Sequence, residues 1–368
     1  MSDAGTRPLR VLQILRSMEV GGAETLVMNL YRHINRSRIQ FDFLLFSDRG
    51  YYEPEILELG GVIHRLPYLT DVGLLSWLRQ LGRFFRAHPQ YRIVHSHLNT
   101  ISGPILMMAK RAGVPVRIAH SHACGSRYRV VERPIRWVFR RMLLPSATHL
   151  MACSHAAGSW LFGKPNEHQV AVLRNAIDLT AFRPSDAQGV RRCMELNDRL
   201  VIGHVGSFSR AKNHVFLIDL MPELIERNPD IMLVFVGDGP LRPEIQRQVA
   251  SMGLQEQVRF LGVRSDIAEL MSLFDVFAFP SLFEGLGIVL IEAQATGLRC
   301  VVSDAVPTEA DMGVGLVDFV SLDDGEAWVT RLLEPTGPRK DTHAALCARG
   351  YDIRQTAGWL QSHYPSLR

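Results

Sequence analysis

The chain has 368 residues, which is enough for two domains that each bury a core of their own. Its five cysteines are odd in number and never spaced as a CxxC pair, which excludes a disulfide-dense scaffold and a zinc ribbon. No apolar run approaches the roughly 20 residues that cross a membrane. The first residues also lack the apolar core of a signal peptide, so we expect a cytoplasmic protein.

The net charge of +4 conceals an asymmetry between the two halves. Up to Asp178 the chain has 23 Lys and Arg against 12 Asp and Glu, and from Leu179 onward it has 18 against 25. A basic first half favours an anionic ligand or surface. Mutual attraction between two domains of one enzyme explains the same asymmetry equally well.

Short β-branched runs alternate with helical patterns along the chain, which is typical of parallel sheets built from βαβ units. The predicted strands begin near Arg10, Phe41, Arg92, Val116 and Thr148 in the first half, and near Leu200, Ile231, Val258, Asp275 and Arg299 in the second. Periodicity lapses in residues 175–189, where Pro, Asp and Gly gather. We therefore predict two Rossmann-like, doubly wound domains, residues 1–178 and 179–350.

Loops at the carboxyl ends of parallel strands are where such sheets bind ligands. In the first of these loops, Gly21 and Gly22 precede a helix, and a bare helix N-terminus favours an anion. A tight strand-to-helix turn would require the same two glycines.

Three strands of the first half end in a Ser-His step, at His97, His122 and His155. Three imidazoles are compatible with zinc, but each follows a different strand and no cysteine or carboxylate cluster accompanies them. We interpret them as polar lining of a cleft or as caps of the following helices, and we predict no metal.

In the second half, a strand ends at Gly206 and a helix begins near His214, with Arg210 and Lys212 between them. The Walker pattern GxxxxGK[ST] is absent, yet strand, glycine, basic loop and helix together predict a diphosphate clamp. Solvated basic residues in a turn are the alternative. Further residues indicate close backbone approaches at the same edge: Gly237, Gly239, a helix opened by Pro240, and Gly262.

The stretch PSLFEGLGIVLIEAQATG, residues 280–297, contains two carboxylates near glycines. Glu284 is predicted in a loop, and Glu292 in the second turn of a helix that begins near Gly287. Eight helical positions span about 12 Å, which exceeds the roughly 5 to 9.5 Å of a glycosidase pair. The spacing favours hydrogen bonds to hydroxyls at two ends of one long ligand, with a phosphate at the helix N-terminus between them.

Together these motifs resemble the retaining glycosyltransferases of family four, which have the α/β GT-B fold of two Rossmann-like domains facing across a cleft. The resemblance covers nearly the whole chain and is strongest for bacterial members that build extracellular, capsular or lipopolysaccharide sugar chains. It rests on GGAE at 21–24, HSH ending at His122, NAID at 175–178, the VG…K loop at 205–212, GDGP at 237–240 and the E-x7-E spacing of Glu284 and Glu292.

The resemblance implies a hexosyltransferase that moves a sugar from a nucleoside-diphosphate sugar to a hydroxyl of a glycan or polyprenyl-linked acceptor, with retention. It implies no metal and no cofactor besides this donor, and a UDP sugar is favoured over a GDP sugar. The first domain, joined by a C-terminal helix at 351–368, would bind the acceptor. The second domain would bind the donor.

The implied catalytic residues are His122, beside the transferred sugar, Lys212, which would neutralise the departing diphosphate, and Glu284, which would bind sugar hydroxyls. Glu292 would bind the ribose. The other implied donor contacts are Gly21, Gly22, Gly206, Ser207, Arg210, Gly262, Arg264, Gly285, Leu286, Gly287 and Ile288.

Two positions depart from the family pattern. Ser207 stands where relatives usually have an arginine, and we predict that Arg210 replaces the missing cation. Arg299 stands where relatives tend to have proline, which we expect to affect only a turn.

Residues 127–147 mix arginines with apolar residues. Such a basic amphipathic helix is typical of proteins that bind peripherally to the anionic inner face of the cell membrane. An ordinary helix that buries one apolar side and solvates its arginines has the same pattern. The arginines are Arg127, Arg129, Arg133, Arg136, Arg140 and Arg141.

Two other functions fit a two-domain fold of this kind. A sugar-nucleotide 2-epimerase would convert the donor without an acceptor. A catalytically silent sugar-nucleotide-binding subunit is suggested only by Ser207, and the presence of Lys212, Glu284 and Glu292 argues against it. No nucleic-acid partner is expected.

Overall fold

The computed structural model describes residues 8–122, 133–185, 188–196 and 199–367. The chain divides into two compact units: Met1–Ile177 together with Gly350–Arg368, and Asp178–Arg349. Arg127 and Arg129, two arginines of the predicted basic segment, lie outside the described residues. So do residues 186 and 187 of the predicted break between domains.

Within the described residues, the first unit contains a seven-stranded parallel sheet in the order β3-β2-β1-β4-β5-β6-β7. The order in which successive strands are added reverses between β1 and β4, which is the switch point where doubly wound sheets bind ligands. The strands are β1 Leu9–Ile14, β2 Ile39–Leu45, β3 Ile63–Arg65, β4 Ile93–Ser96, β5 Val116–Ser121, β6 His149–Ala152 and β7 Val170–Val172.

Helices cover both faces of this sheet. Successive residues of β1 point to opposite faces, so Val11 and Leu12 belong to two separate apolar clusters. Trp77, Phe85 and Leu143 lie in the cluster of Leu12. The helices are α1 Gly22–His33, α2 Glu53–Glu58, α3 Leu69–Val72, α4 Leu74–Ala87, α5 Ser102–Arg111, α6 Arg133–Ser146 and α7 His155–Phe162.

The described part of the second unit contains a six-stranded parallel sheet in the order β10-β9-β8-β11-β12-β13. Its switch point lies between β8 and β11. The strands are β8 Leu200–Val205, β9 Ile231–Val236, β10 Val258–Phe260, β11 Val276–Phe279, β12 Arg299–Ser303 and β13 Val317–Val320. Strands such as IMLVFV of β9 are buried at every residue, as expected when both faces of a parallel sheet are covered.

The helices of the second unit are α8 Gln188–Cys193, α9 His214–Arg227, α10 Arg242–Ser251, α11 Ile267–Leu273, α12 Ile288–Ala295, α13 Gly325–Leu333 and α14 His343–Ala348. The last helix, α15 Ile353–Ser366, belongs to the first unit. It buries Ile353, Ala357, Leu360 and Tyr364 in the same cluster as Val11 and Phe41.

All ten predicted strands are present, and the helices predicted near Gly287 and His214 begin at Ile288 and His214. One helix start was wrong. The helix predicted to open at Pro240 begins at Arg242 and has Pro243 in its first turn, because residues 240 and 241 form a turn before it. In the described residues, no helix is long and apolar enough to cross a bilayer.

Candidate active site

Two loops meet at the switch point of the second sheet. One follows β8 and contains a short 3₁₀ turn, Arg210–Lys212. The other follows β11, and the amide of Leu282 donates a hydrogen bond of 2.8 Å to the carbonyl of Ala211 in the first loop. The chain therefore brings Lys212 and Glu284, 72 residues apart, to one place: Lys212 Nζ lies 2.6 Å from Glu284 Oε1.

This ion pair is partly buried, since the side chains of Lys212 and Glu284 are only 17% and 12% exposed. The ammonium also lies 4.6 Å from the centre of the Phe279 ring, the last residue of β11. A cation over an aromatic ring is attracted by the ring's negative face. Charge, ring and partial burial together fix the position of the lysine.

Gly206 gives the lysine the room it needs. A Cβ at this position would lie 3.2 Å from Cδ and Cε of Lys212, closer than ordinary packing allows. The absence of a side chain at the end of β8 therefore lets the lysine fold back across the strand toward Glu284.

The Glu284 loop leads directly into α12 through Gly287. This residue has φ +74°, a left-handed conformation that glycine adopts without strain. A Cβ there would also meet the Phe279 ring at 3.1 Å. The turn from Gly285 to Ile288 thus places the start of α12 next to the Lys212 and Glu284 pair.

Glu292 lies in the second turn of α12. Burial raises the pKa of its carboxyl to about 8. The carboxyl group makes no hydrogen bond or ion pair to any residue that the structure describes. A carboxyl group that is buried and makes no such bond is suited to forming hydrogen bonds with hydroxyls of a bound ligand.

Two buried histidines lie close to Lys212. His214 stacks on Phe208 with ring centres 4.1 Å apart, and His204 lies 4.5 Å from His214. Burial lowers the pKa of His204 to about 4 and that of His214 to about 2. Both rings are therefore neutral at physiological pH and add no positive charge next to the lysine.

The remaining donor-binding predictions of this unit lie at the same strand ends. Ser207 is exposed, and its hydroxyl is 3.2 Å from that of Ser209. Arg210 is exposed and has no side-chain partner in the described part of the chain. Arg264 instead makes two hydrogen bonds, of 2.8 and 2.5 Å, to the carboxylate of Asp266.

Gly262 follows β10 and has φ +69°. Its carbonyl accepts a hydrogen bond of 2.8 Å from the amide of Gly237, which follows β9. This bond joins two neighbouring strand ends of the second sheet.

In the first unit, Gly21 is the extended N-cap of α1, and Gly22 is the exposed first residue of that helix. A Cβ at Gly22 would meet no atom within 4 Å. The local fold therefore does not require glycine at this position, which leaves contact with a ligand as a reason for it.

Four histidines gather on one face at the ends of β4 and β5, where the sequence predicted only His97 and His122. The others are His95 and His120, each two residues earlier in the chain. The repeated pattern HSH was the signal for them, since alternate residues of a strand point to the same face. His155 does not join the group but is the exposed first residue of α7, preceded by the N-cap Ser154.

These four rings are largely buried and neutral. Burial lowers the pKa of His122 to about 3, although part of this residue is exposed, and burial and the neighbouring histidines lower the pKa values of His95, His97 and His120 well below the usual range. Ligand atoms of His95, His97 and His120 lie within 4.8 Å of one another, a spacing that a metal ion could use. Nitrogens of these rings form hydrogen bonds between rings: His97 Nδ1 to His122 Nε2 at 2.8 Å and His95 Nε2 to His120 Nδ1 at 3.1 Å.

Helix α6 carries the described part of the predicted basic amphipathic segment. Phe139 and Leu143 are buried on one side, whereas Trp137 is 61% exposed. The guanidinium of Arg141 lies 5.0 Å from the centre of the Trp137 ring. An open groove of about 620 Å³ runs beside these residues, and its basic lining residues are Lys110, Arg111 and Arg141.

Comparison with known proteins identifies the family. A model described as "Glycosyl transferase 4-like domain" matches residues 21–193, and one described as "Glycosyl transferases group 1" matches residues 199–334. The Bacillus subtilis protein EpsF, described as a glycosyltransferase, is 40% identical, and the match spans 96% of both chains. The chain belongs to the group 1, family-four glycosyltransferases.

Other relatives agree with this assignment. A UDP-Gal:alpha-D-GlcNAc-diphosphoundecaprenol alpha-1,3-galactosyltransferase of Escherichia coli is 30% identical over 72% of this chain and 68% of its own. The structure of Anabaena HepE in complex with UDP-glucose superposes with a TM-score of 0.78 at 19% identity, covering 97% of this chain and 99% of HepE. The two parallel sheets therefore form the GT-B fold, and the protein is a nucleotide-sugar glycosyltransferase of a retaining family, as the sequence predicted.

Proposed function

We propose that this glycosyltransferase moves a hexose from a UDP sugar to a hydroxyl of a lipid-linked or growing glycan in the synthesis of a bacterial surface polysaccharide. The observation that carries the proposal is the ion pair of Lys212 and Glu284 at the switch point of the second sheet. Its two members have the chemistry that the two parts of the donor require. A diphosphate needs a cation, and sugar hydroxyls need hydrogen-bond acceptors.

The two residues act by exchanging partners. When the donor binds, the ammonium of Lys212 turns from Glu284 to the diphosphate, and the carboxylate released in this way accepts hydrogen bonds from the sugar. Lys212 then stabilises the negative charge that develops on the leaving diphosphate. An acceptor hydroxyl attacks the anomeric carbon on the face from which the diphosphate leaves, and a donor phosphate oxygen takes up its proton.

Backbone and ribose contacts complete the donor site in this proposal. The N-terminus of α12 at Leu286 to Ile288 receives the diphosphate, because helix N-termini favour anions. Glu292, four residues further along α12, binds the ribose hydroxyls. Ser207 and the loops at Gly262 and Arg264 line the nucleotide.

The first unit contributes Gly22, at the bare start of α1, to the diphosphate and His122 to the transferred sugar. The choice of UDP is supported by the relatives, since the Escherichia coli enzyme uses UDP-Gal and HepE was solved with UDP-glucose. The lipid-linked acceptor is supported by the same Escherichia coli relative, whose acceptor is alpha-D-GlcNAc-diphosphoundecaprenol.

Helix α6 is the surface we assign to the membrane. Its exposed apolar residues include Trp137, Val138 and Leu144, although Phe139 and Leu143 already fill the buried side. Arg140 and Arg141 are exposed on the same helix. An apolar surface with arginines matches the interface of an anionic membrane, where a polyprenyl-linked acceptor is found.

Two measurements test the proposal. Thermal unfolding in the presence of UDP, GDP and ADP sugars identifies the donor, because a ligand that binds only the folded state raises the melting temperature of the protein. Transfer of the stabilising sugar to a short-chain polyprenyl diphosphate sugar is then followed by chromatography. Stabilisation by UDP sugars and formation of a product with a retained linkage are expected; stabilisation by GDP or ADP sugars alone contradicts the donor assignment.

A further inference from the structure

A continuous hydrogen-bond network connects His122 to the last helix of the chain. One arm runs from the hydroxyl of Tyr364 to His95 Nδ1, at 2.8 Å, and from His95 Nε2 to His120 Nδ1, at 3.1 Å. The other runs from Gln13 Oε1 to His97 Nε2, at 2.9 Å, and from His97 Nδ1 to His122 Nε2, at 2.8 Å.

The two arms are joined by the side chain of Gln13. Its Nε2 lies 3.2 Å from the hydroxyl of Tyr364. Gln13 and Tyr364 are buried, on β1 and α15 respectively, so this junction is shielded from water. Each histidine of the network is neutral and therefore has one N–H donor and one lone-pair acceptor.

The amide of Gln13 sets the direction of both arms. With its NH₂ group toward Tyr364, it donates to the tyrosine hydroxyl, which donates to His95. The proton of His95 is then on Nε2 and is donated to His120. His120 consequently has its own proton on Nε2.

The opposite order follows in the other arm. The carbonyl oxygen of Gln13 accepts from His97 Nε2, so Nδ1 of His97 accepts the proton of His122 Nε2. His122 is left with a lone pair on Nδ1. One arm therefore ends in a donor and the other in an acceptor.

Reversing the orientation of the Gln13 amide exchanges the donor and the acceptor in every hydrogen bond of the network. His120 Nε2 then becomes the acceptor and His122 Nδ1 the donor. Because an amide donates at one end and accepts at the other, the two arms always end with opposite polarity.

The two arms end in neighbouring rings, and the ring nitrogens at these ends make no hydrogen bond within the described part of the protein. The rings of His120 and His122 have their centres 4.0 Å apart. His120 Nε2 and His122 Nδ1 are both buried, and neither has a hydrogen-bond partner among the described residues. A buried donor and a buried acceptor without partners are costly and require an explanation.

We propose that His120 and His122 together bind one hydroxyl group of the transferred sugar, and that Gln13 and Tyr364 are positioning residues that keep the free nitrogen of one ring a donor and that of the other an acceptor. A hydroxyl is the matching group because it donates and accepts at once. An ammonium only donates and a carboxylate only accepts, so either would leave one ring unsatisfied. The assignment to a sugar hydroxyl rests on the proposed function of His122.

Nitrogen NMR of the full chain labelled with ¹⁵N-histidine tests the network without requiring activity. Wild-type protein should show His120 and His122 as neutral rings in the same tautomer, because either orientation of the Gln13 amide puts both protons on Nε2 or both on Nδ1. Tyr364→Phe removes the junction hydroxyl, and Gln13→Met removes both amide bonds. Each should leave His120 or His122 as a mixture of tautomers.

Tyr91→Phe is the matched control, because its buried hydroxyl lies 2.7 Å from His64 Nε2 in the same unit but outside this network. It should leave the signals of His120 and His122 unchanged. Different tautomers at the two rings of wild-type protein overturn the network. The network is also overturned if the protein contains a stoichiometric metal ion and its removal by a chelator changes the His95 and His120 signals.

Transfer kinetics test the role of the network in catalysis. Tyr364→Phe should lower kcat/KM for the sugar donor about tenfold or more, since a site built to bind a hydroxyl loses discrimination when its polar groups are misaligned. It should leave the affinity for UDP, which lacks the sugar, unchanged. A wild-type kcat/KM in Tyr364→Phe overturns the catalytic role. A shared tautomer at both rings in a protein that transfers no sugar would support the network and count against the proposed function alone.

Discussion

Lys212 and Glu284 form an ion pair of 2.6 Å between two loops at the switch point of the second sheet. Each residue satisfies the charge of the other in this state of the protein. Binding of a sugar diphosphate requires the two charges to separate, so the pair is a competitor of the ligand for Lys212. Glu284 therefore affects the free energy of donor binding in two opposing ways. It weakens binding by holding Lys212 in the free protein, and it strengthens binding by accepting hydrogen bonds from the sugar.

Arg210 is the exposed cation that we expect to compensate for Ser207. Arg210→Ala should raise the KM for the sugar nucleotide about tenfold, because a charge-assisted hydrogen bond to phosphate is lost. Arg192→Ala, a change at an exposed arginine on α8, is the matched control and should have no effect. Steady-state kinetics of both variants decide the question; an unchanged KM in Arg210→Ala would show that Ser207 is not compensated in this way.

Gly22 is expected to be required by the ligand and not by the fold. Gly22→Ala adds a methyl group that meets no protein atom, so the melting temperature should be unchanged. The KM for the donor should rise roughly tenfold or more, since a small displacement at a diphosphate is costly. Gly358→Ala on α15 also adds a methyl group to open space and serves as the control. Equal kinetics in both variants would remove Gly22 from the donor site.

Glu292 should make stability depend on pH. Burial raises its folded-state pKa to about 8, above the value near 4.3 of an unfolded chain. The protonated carboxyl therefore stabilises the folded protein. This contribution is complete below the unfolded pKa and is lost as the pH rises through about 8.

Glu292→Gln removes this dependence, because the amide stays neutral. At pH 8.5 the variant should be more stable than wild type by roughly 1 to 3 kcal/mol, and at pH 4 the two should be similar. Urea unfolding at both pH values measures the difference, with Glu309→Gln, a change at an exposed carboxylate, as the control. Equal stability of wild type and Glu292→Gln at high pH would contradict the raised pKa that burial gives Glu292 in the folded protein.

Helix α6 is expected to bind anionic vesicles. Wild-type protein should sediment with phosphatidylglycerol vesicles at low salt, and less so at high salt because the charges are screened. Trp137→Ser and Arg141→Ser should each weaken binding, the arginine change by about 1 kcal/mol. Trp359→Ser removes a tryptophan that is 42% exposed on α15 and is the control. Failure of wild type to bind at low salt would refute the membrane assignment.

The sequence predicts the sheets well because their strands are buried, β-branched runs. It missed β3, β7 and β13, which have three or four residues each and are mostly half-exposed, so they lack a strong apolar signal. The loop position of Glu284 and the helical position of Glu292 were also predicted correctly.

Side-chain pairing could not be predicted in the same way. The sequence assigned Lys212 and Glu284 to separate parts of a ligand but gave no sign that they bind each other, since their contact depends on how two loops fold. The bond between Gln13 and Tyr364 joins residues 351 positions apart. No local pattern reports such a contact, although the repeated HSH motif did indicate that histidines share one face.

Titration calorimetry with UDP and with a UDP sugar, on wild type, Lys212→Ala and Glu284→Gln, tests the partner exchange most directly. Lys212→Ala should weaken the binding of both ligands. Glu284→Gln should weaken only the UDP sugar and bind UDP at least as tightly as wild type, because Lys212 no longer has to leave a partner. Unchanged UDP binding in Lys212→Ala, or equal weakening of UDP and UDP sugar in Glu284→Gln, would contradict the account.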